Sequence, residues 1–566
     1  MAEDFDVIVV GSGMSGGWAA KEFTEKGMKT LVIERGRHVE HQTDYVGEGL
    51  GPWEMKFRDK VDRKTADSNY EIQKKCYAFL ESTKQFFVDD KEHPYSQEEG
   101  KPFSWIRGNH LGGRSLTWHR QSYRLGDLDF SANKSDGHGV DWPIRYKDIQ
   151  KWYDHVEIFA GITGNNDGLS QLPDGKFQPP MELNCVEKDI KERMEQLYED
   201  RRLIIGRAAH LTKPTKEQLA LGRATCQNRD QCQRGCSFGA YFSSQSATLP
   251  AAHNTGNLTI VTDTIVHSIV YDPLSQKAIG VRTIDARTNK KRTYSARVIF
   301  MCASTLGTTQ ILLNSTSDAF QNGFANSSGV LGHYLMDHLY AQGASGEFPG
   351  HEDKYYIGRR ATGIYIPRFQ NLDGHKEKYY RGFGFQGGAS RSGWKNKLSD
   401  KGFGADFKKS FKNPGPWTFN IAGFGEMMPD YKNQVTLHKN KVDQWGIPQI
   451  HIDCAYGKND WTMRREIVDV SVQMLKDLGL KKVTGFLDED ANPGIGIHEM
   501  GTARMGRDPK SSFLNSHNQC HDVDNVFITD GSCMTSSACQ NPSLTYMAIT
   551  ARAVNYAVIQ MKENAF

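Results

Sequence analysis

The sequence predicts an α/β fold: a doubly wound, Rossmann-like domain carrying a second, inserted domain. Three observations carry this. The run Asp6-Val-Ile-Val-Val10 is apolar and β-branched, as a parallel strand buried on both faces should be. It passes directly into Gly11-Ser-Gly13-Met-Ser-Gly16. And 566 residues make either two domains or one large fold with an insertion, with ample chain for an enclosed ligand site.

Taken in order, the first strand and the glycine run are followed by a predicted helix from about Ser15 to Lys26, then by a second strand, Thr30-Leu-Val-Ile-Glu34. This is the full βαβ setting in which GxGxxG binds a dinucleotide. Gly11 allows the tight turn, Gly13 lets the backbone approach a pyrophosphate, and Gly16 lets helix and strand pack closely. The helix N-terminus offers free N–H groups and a partial positive charge to the phosphates. Glu34 is placed to take the ribose hydroxyls and argues against a 2′-phosphate; Arg35, beside it, belongs to the same site. The unit alone does not separate NAD from FAD.

Composition excludes other classes. Seventy basic and 67 acidic residues leave a net charge of +3, so neither nucleic acid nor a membrane surface is an expected partner. Mean hydropathy is −0.60, and no apolar run is long enough for a membrane span. The first strand begins at about Phe5, which leaves no room for a signal peptide. The expectation is a cytoplasmic protein, or one exported with a signal-bearing small subunit. Ten cysteines in so long a chain are no disulfide scaffold. Three of them, Cys226, Cys232 and Cys236, fall within one polar loop. Thiolates in such a set suit iron–sulfur or zinc, and zinc would want a fourth ligand.

Further along come Arg107-Gly-Asn-His-Leu-Gly112-Gly113-Arg-Ser115-Leu-Thr117-Trp118, the strand pair beginning at Asn257 and holding Val266, and Val298-Ile-Phe-Met-Cys-Ala303-Ser-Thr-Leu-Gly307. Glu426-Met-Met-Pro429 and Asp443-Gln-Trp-Gly446-Ile-Pro448 follow. The chain ends with His498-Glu-Met-Gly-Thr-Ala-Arg-Met-Gly506, then Thr529-Asp530-Gly531, then Asn541-Pro-Ser-Leu-Thr545. In this order the blocks resemble the glucose–methanol–choline (GMC) family of FAD oxidoreductases, from end to end and more loosely in the middle.

The resemblance implies a GMC-type fold, a Rossmann-like FAD-binding domain with a substrate domain built on a largely antiparallel sheet. The FAD domain would comprise 1–45, 100–135, 225–340 and 495–566, with the cysteine loop 226–236 inside it. Residues 341–494 would form the substrate domain; 46–99 and 136–224 would be a cover or lid and connecting helices. Gly112, Gly113 and Ser115 would lie along the flavin, the Val266 backbone against the adenine, and Asp530 and Gly531 at the ribityl and phosphate region. A helix from about Ser543 to Lys562, with Thr545 in its first turn, would aim its positive end at the flavin. Thr117 stands where some relatives carry a flavin-linking histidine, so the FAD is expected to be non-covalent. His498 would take the hydroxyl proton and Asn541 would hold the substrate oxygen. His333, His338, His517 and His521 read as structural.

The Cys226, Cys232, Cys236 spacing resembles the loop that holds a 3Fe-4S cluster in the catalytic subunit of bacterial FAD-dependent glucose dehydrogenase, with Arg229 and Arg234 offsetting its charge. A cluster passes electrons singly, which favours a dehydrogenase feeding a cytochrome c- or quinone-type acceptor. The C-terminal blocks look most like bacterial glucoside 3-dehydrogenase catalytic subunits, which oxidise the C3 hydroxyl of glucosides and disaccharides. Trp394, Trp417, Phe383, Phe385, Tyr379 and Tyr380 are candidate stacking surfaces for a sugar, and Gln386 a candidate polar contact. The alternatives are a glucose 1-dehydrogenase, a gluconate 2-dehydrogenase-like subunit, an oxygen-using pyranose oxidase, or a non-catalytic FAD-binding scaffold.

Overall fold

Five parallel strands form the first sheet of the computed structural model, which describes residues 5–51, 53–355, 363–391 and 402–566. Their spatial order is Leu258–Val261, Thr30–Ile33, Phe5–Val10, Lys291–Met301 and Val526–Ile528. Val7, Ile8 and Val9 are fully buried, because the helices Met14–Glu25 and Ser543–Lys562 pack on this core and against each other. The strand Lys291–Met301 serves two sheets. Its polar first half pairs antiparallel with Lys277–Asp285, which pairs in turn with Thr264–Asp272. Its apolar second half, Val298 to Met301, is buried in the parallel sheet.

The second sheet is antiparallel throughout. It runs Lys481–Leu487, Gln342–Phe348, Trp417–Glu426, Phe383–Arg391, Ile364–Ile366 and Ile204–Ile205, with His338–Leu339 added beside Trp417–Glu426. The helix Lys458–Asp477 covers one face. A Cβ at Gly423 or Gly425 would meet Ile467 or Met463 of that helix, so these glycines set how closely helix and sheet approach. Alternation along a strand then turns Ala422 and Phe424, and Gly384 and Gln386 on the neighbouring strand, to the other face.

Two boundaries differ from the sequence reading. Ile204–Ile205 and His338–Leu339 belong to the second sheet, whereas the sequence placed them in the connecting helices and the first domain. Strands of two residues have no period to read. Within 53–99 a short helix, Arg63–Asn69, and several turns pack around Tyr45, Cys76, Phe79, Phe86 and Phe87. All ten cysteines are thiols. Among the described residues no helix is long and apolar enough to cross a membrane.

Candidate active site

Between the two sheets lies a cavity of about 1140 Å³, larger than the roughly 300–1,000 Å³ of an ordinary small-ligand site. Gly11, Gly13, Glu34, Arg35, Gly113, Ser115, Val266, Asp530 and Gly531 line it, together with His498, Asn541 and Gln386. These sequence-predicted residues therefore share one chamber.

The glycine turn is built for close approach. Gly11 has φ +93, and a Cβ there would lie 2.5 Å from the Cys302 carbonyl oxygen. Gly13 caps the helix Met14–Glu25 with no side chain on its free N–H groups, which leaves them to a ligand anion. Gly16 does not line the cavity; it packs on Gly11. Gly112 also stands behind the lining. At φ +80 it donates its N–H to Ser12 Oγ at 2.8 Å and accepts from Ser115 Oγ at 2.7 Å, tying the second glycine segment to the first. The Glu34 carboxylate accepts from Ser12 N–H at 3.1 Å, Ser12 Oγ at 2.6 Å and Gly36 N–H at 2.9 Å. Burial pushes its pKa up against these donors. At Val266 the antiparallel register slips, interrupting the ladder beside the cavity. Asp530 is held by Thr308 and Ser532. The helix Ser543–Lys562 begins with no side-chain cap at Pro542, and Asn541, Pro542 and Ser543 line the cavity. Its N-terminal N–H groups thus favour negative charge there. Thr545 does not line the cavity, because its hydroxyl is paired with the Tyr153 hydroxyl at 2.8 Å.

His498 is set by the loop before it. Asp337 accepts from the N–H groups of Gly494 at 2.7 Å, Gly496 at 2.9 Å and His498 at 3.0 Å. That clasp holds Ile497 at φ +60, a conformation a β-branched residue rarely adopts. The His498 ring meets Asn541 on one side, Nε2 to Nδ2 at 3.4 Å, and His338 on the other, Nδ1 to Nδ1 at 2.9 Å. Burial, then His338 and Arg114, holds the His498 pKa well below 6.5. The ring is thereby held neutral, and it lines the cavity.

Several sequence readings need correction. Gln386 reaches the cavity, but its Nε2 donates to Asn541 Oδ1 at 2.5 Å; it orients Asn541 before any substrate arrives. Phe383, Phe385 and Tyr379 are core residues of the second domain. Trp417 is buried with its indole on the His351 carbonyl, and Tyr380 stacks on His375. None of them lines the cavity; Trp394 lies outside the described residues. Phe424 lies beside His498, with ring centroids 6.2 Å apart, and Tyr340 packs on Phe424 at 4.9 Å; both line the cavity. Alternation held the signal: if Gln386 faces the site, Phe383 and Phe385 cannot. His338, read as structural, touches His498. His333, His517 and His521 do not line the cavity.

Cys226, Cys232 and Cys236 do not line this cavity. Arg229 pairs with Glu48 and also reaches Cys236, and Arg234 pairs with Asp59 at 3.0 Å. Cys226 Sγ donates to Asn228 at 3.8 Å, and Cys232 Sγ lies 3.4 Å from His210 Nε2. Among the described residues no three His, Cys, Asp or Glu side chains gather to hold a metal. The 3Fe-4S reading therefore rests on the spacing of Cys226, Cys232 and Cys236 and gains no support from a gathered ligand set.

GMC oxidoreductase profiles match residues 5–340 and 429–550. The chain belongs to the GMC oxidoreductase family. It is 26% identical to 2-methyl-1,2-propanediol dehydrogenase of Mycolicibacterium austroafricanum over 98% of this chain and 95% of that protein. It is 23% identical to the fructose dehydrogenase large subunit of Gluconobacter japonicus over 99% and 98%. In fold it is similar to pyridoxine 4-oxidase from Mesorbium loti, with a TM-score of 0.61 at 15% identity over 98% of this chain and 99% of that one. This GMC member is an FAD-dependent oxidoreductase acting on CH–OH groups, with an FAD-binding N-terminal domain and an antiparallel-sheet substrate domain.

The glycine turn, the uncapped helix ends and the buried acid fit FAD. Glu34→Ala is expected to weaken FAD binding about 10- to 100-fold, the worth of a charge-assisted hydrogen bond, with substrate preference unchanged. Equilibrium dialysis measures it. Wild-type affinity would assign Glu34 only to holding Ser12.

Proposed function

We propose that this protein is a sugar dehydrogenase that oxidises the C3 hydroxyl of glucosides or disaccharides to 3-keto sugars. The observation that carries the chemistry is the pairing of His498 Nε2 with Asn541 Nδ2 at 3.4 Å on the cavity lined by the glycine turn. A hydroxyl between them gives its proton to His498 Nε2 and keeps its oxygen on the Asn541 amide, which stabilises the developing alkoxide. When bound, FAD supplies the hydride acceptor. Gln386 fixes the amide so that its NH2 lies on the His498 side, where the hydroxyl would stand.

The sugar assignment is supported by the likeness of the C-terminal blocks to glucoside 3-dehydrogenases and by relatives named for fructose and gluconate 2-oxidation. Phe424 and Tyr340 offer aromatic faces to a pyranose. A relative named for a propanediol puts simple diols in the test panel. Anaerobic mixing with sugars and diols, read by flavin bleaching and by NMR of the product carbonyl, tests the proposal. A C3 ketone is expected. A C1 lactone or C2 ketone would move the reading to a glucose 1- or gluconate 2-dehydrogenase type. Bleaching by diols alone would end the sugar assignment.

Delivery to a cytochrome c- or quinone-type acceptor, with a small subunit, rests on the cysteine spacing alone, and we derive no transfer step through that loop. Iron analysis tests it: about three irons per chain would support a cube lacking one corner. An iron-free enzyme that makes peroxide with its product would favour the oxidase reading.

A further inference from the structure

The hydrogen bonds around His498 form a chain whose direction is fixed at one end. His338 Nε2 lies 3.2 Å from the Ser537 carbonyl oxygen, which can only accept. His338 therefore carries its proton on Nε2, and its Nδ1 is an acceptor. His498 Nδ1, 2.9 Å from that nitrogen, must be the donor. A neutral imidazole has one N–H, so His498 Nε2 is left with its lone pair. The other end agrees. Gln386 Nε2 donates to Asn541 Oδ1, which turns Asn541 Nδ2, a donor, toward His498 Nε2. Every link from Gln386 to Ser537 points the same way.

The anchor is rigid. Ser537 Oγ accepts from the Met427 N–H and donates to the Met427 carbonyl, each at 3.1 Å. His338 is fully buried on a strand paired with Gly425 and Glu426. Its neighbour Asp337 holds the His498 backbone. One dipeptide thus fixes both the backbone and the ring of His498.

Building on the proposed role of His498, we propose that His338 is a positioning residue that holds His498 as the Nδ1–H tautomer, with its Nε2 lone pair turned to the substrate hydroxyl. The partner of one ring nitrogen decides the state of the other. Without His338, the protonated-Nε2 form becomes accessible, and that form cannot take a proton there.

The test is long-range 1H–15N NMR of 15N-histidine-labelled protein, with His498→Ala to assign the signal, alongside anaerobic flavin reduction in His338→Leu and His338→Gln. The expected wild-type signal is Nδ1–H with a bare Nε2. His338→Leu should show mixed tautomers and about a tenfold or greater fall in the limiting reduction rate, the preference carried by one hydrogen bond, with KM little changed. His338→Gln, which keeps one acceptor and one donor, should recover most of that rate. A wild-type His498 protonated on Nε2 would overturn the proposal, as would wild-type tautomer and rate in His338→Leu. If His338→Leu does not fold, the wild-type tautomer decides alone. If no alcohol reduces the wild-type flavin, the proposed function falls while the tautomer still tests His338.

Discussion

Replacing His498 by alanine is expected to slow flavin reduction by substrate about 10²- to 10⁴-fold, the usual contribution of a positioned base, and to leave FAD bound. The two effects separate because His498 belongs to the loop clasped by Asp337 and not to the glycine turn or the Glu34 site. Asn541→Ala should cost less, since it removes one hydrogen bond to the oxygen and leaves the base. The pH dependence follows from the site. Burial and the neighbouring His338 and Arg114 hold the His498 pKa well below 6.5, and the base form exists above that pKa. The limiting reduction rate should therefore stay level as pH falls from 8 to 6.5 and drop only below it. Stopped-flow reduction under anaerobic conditions measures both. A near-wild-type rate in His498→Ala would remove His498 as the base. An acid limb centred above pH 6.5 would mean that the cavity does not desolvate the ring.

The parts of this molecule that answer a local steric demand could be read from its sequence. The glycine turn is one: Gly11 stands at φ +93, and the strand, turn and helix around it fall where the pattern put them. His498 and Asn541 were legible because each sits in a dense block of fixed residue types. What could not be read was the pairing that only the tertiary fold creates. His338 lies 160 positions before His498, on a strand of two residues without a period of its own. The link from Gln386 to Asn541 crosses between domains. Its facing was partly legible, since alternation in Gly382-Phe-Gly-Phe-Gln386 separates the glutamine from both phenylalanines. The cysteine spacing suggested a cluster through its resemblance to a cluster-holding loop. It carried no information on Glu48 and Asp59, which come from a distant segment to pair with the two arginines.

Gly16→Ala and Gly13→Ala should separate the fold's use of glycine from the ligand's. In a helix, alanine is ordinarily better than glycine by about 1 kcal/mol. At Gly16 the sign should reverse. A Cβ there would overlap the carbonyl oxygen of Gly11, and that obstacle is backbone in the tightest part of the turn. Overpacking of this kind costs about 1–3 kcal/mol, and the helix start that would face the phosphates must move to relieve it. Gly16→Ala should therefore lower the stability of the FAD-free protein in urea and also lose FAD on gel filtration. Gly13 is different: its φ of −67 is an ordinary one, its ψ of −150 lies just beyond the β region that residues with a Cβ favour, and a Cβ there finds only the Gly112 carbonyl oxygen at 3.9 Å. Gly13→Ala should lower FAD-free stability less than Gly16→Ala does, since no overlap opposes the methyl, only a less favoured ψ. Yet Gly13 lines the cavity, so its new methyl would stand where a pyrophosphate approaches the helix N-terminus, and FAD affinity should fall sharply. Wild-type FAD affinity in Gly13→Ala would show that the backbone does not approach the ligand there. Wild-type stability in Gly16→Ala would show that helix and turn have slack enough to admit a methyl group, and the close packing argued for this glycine would not be what fixes it.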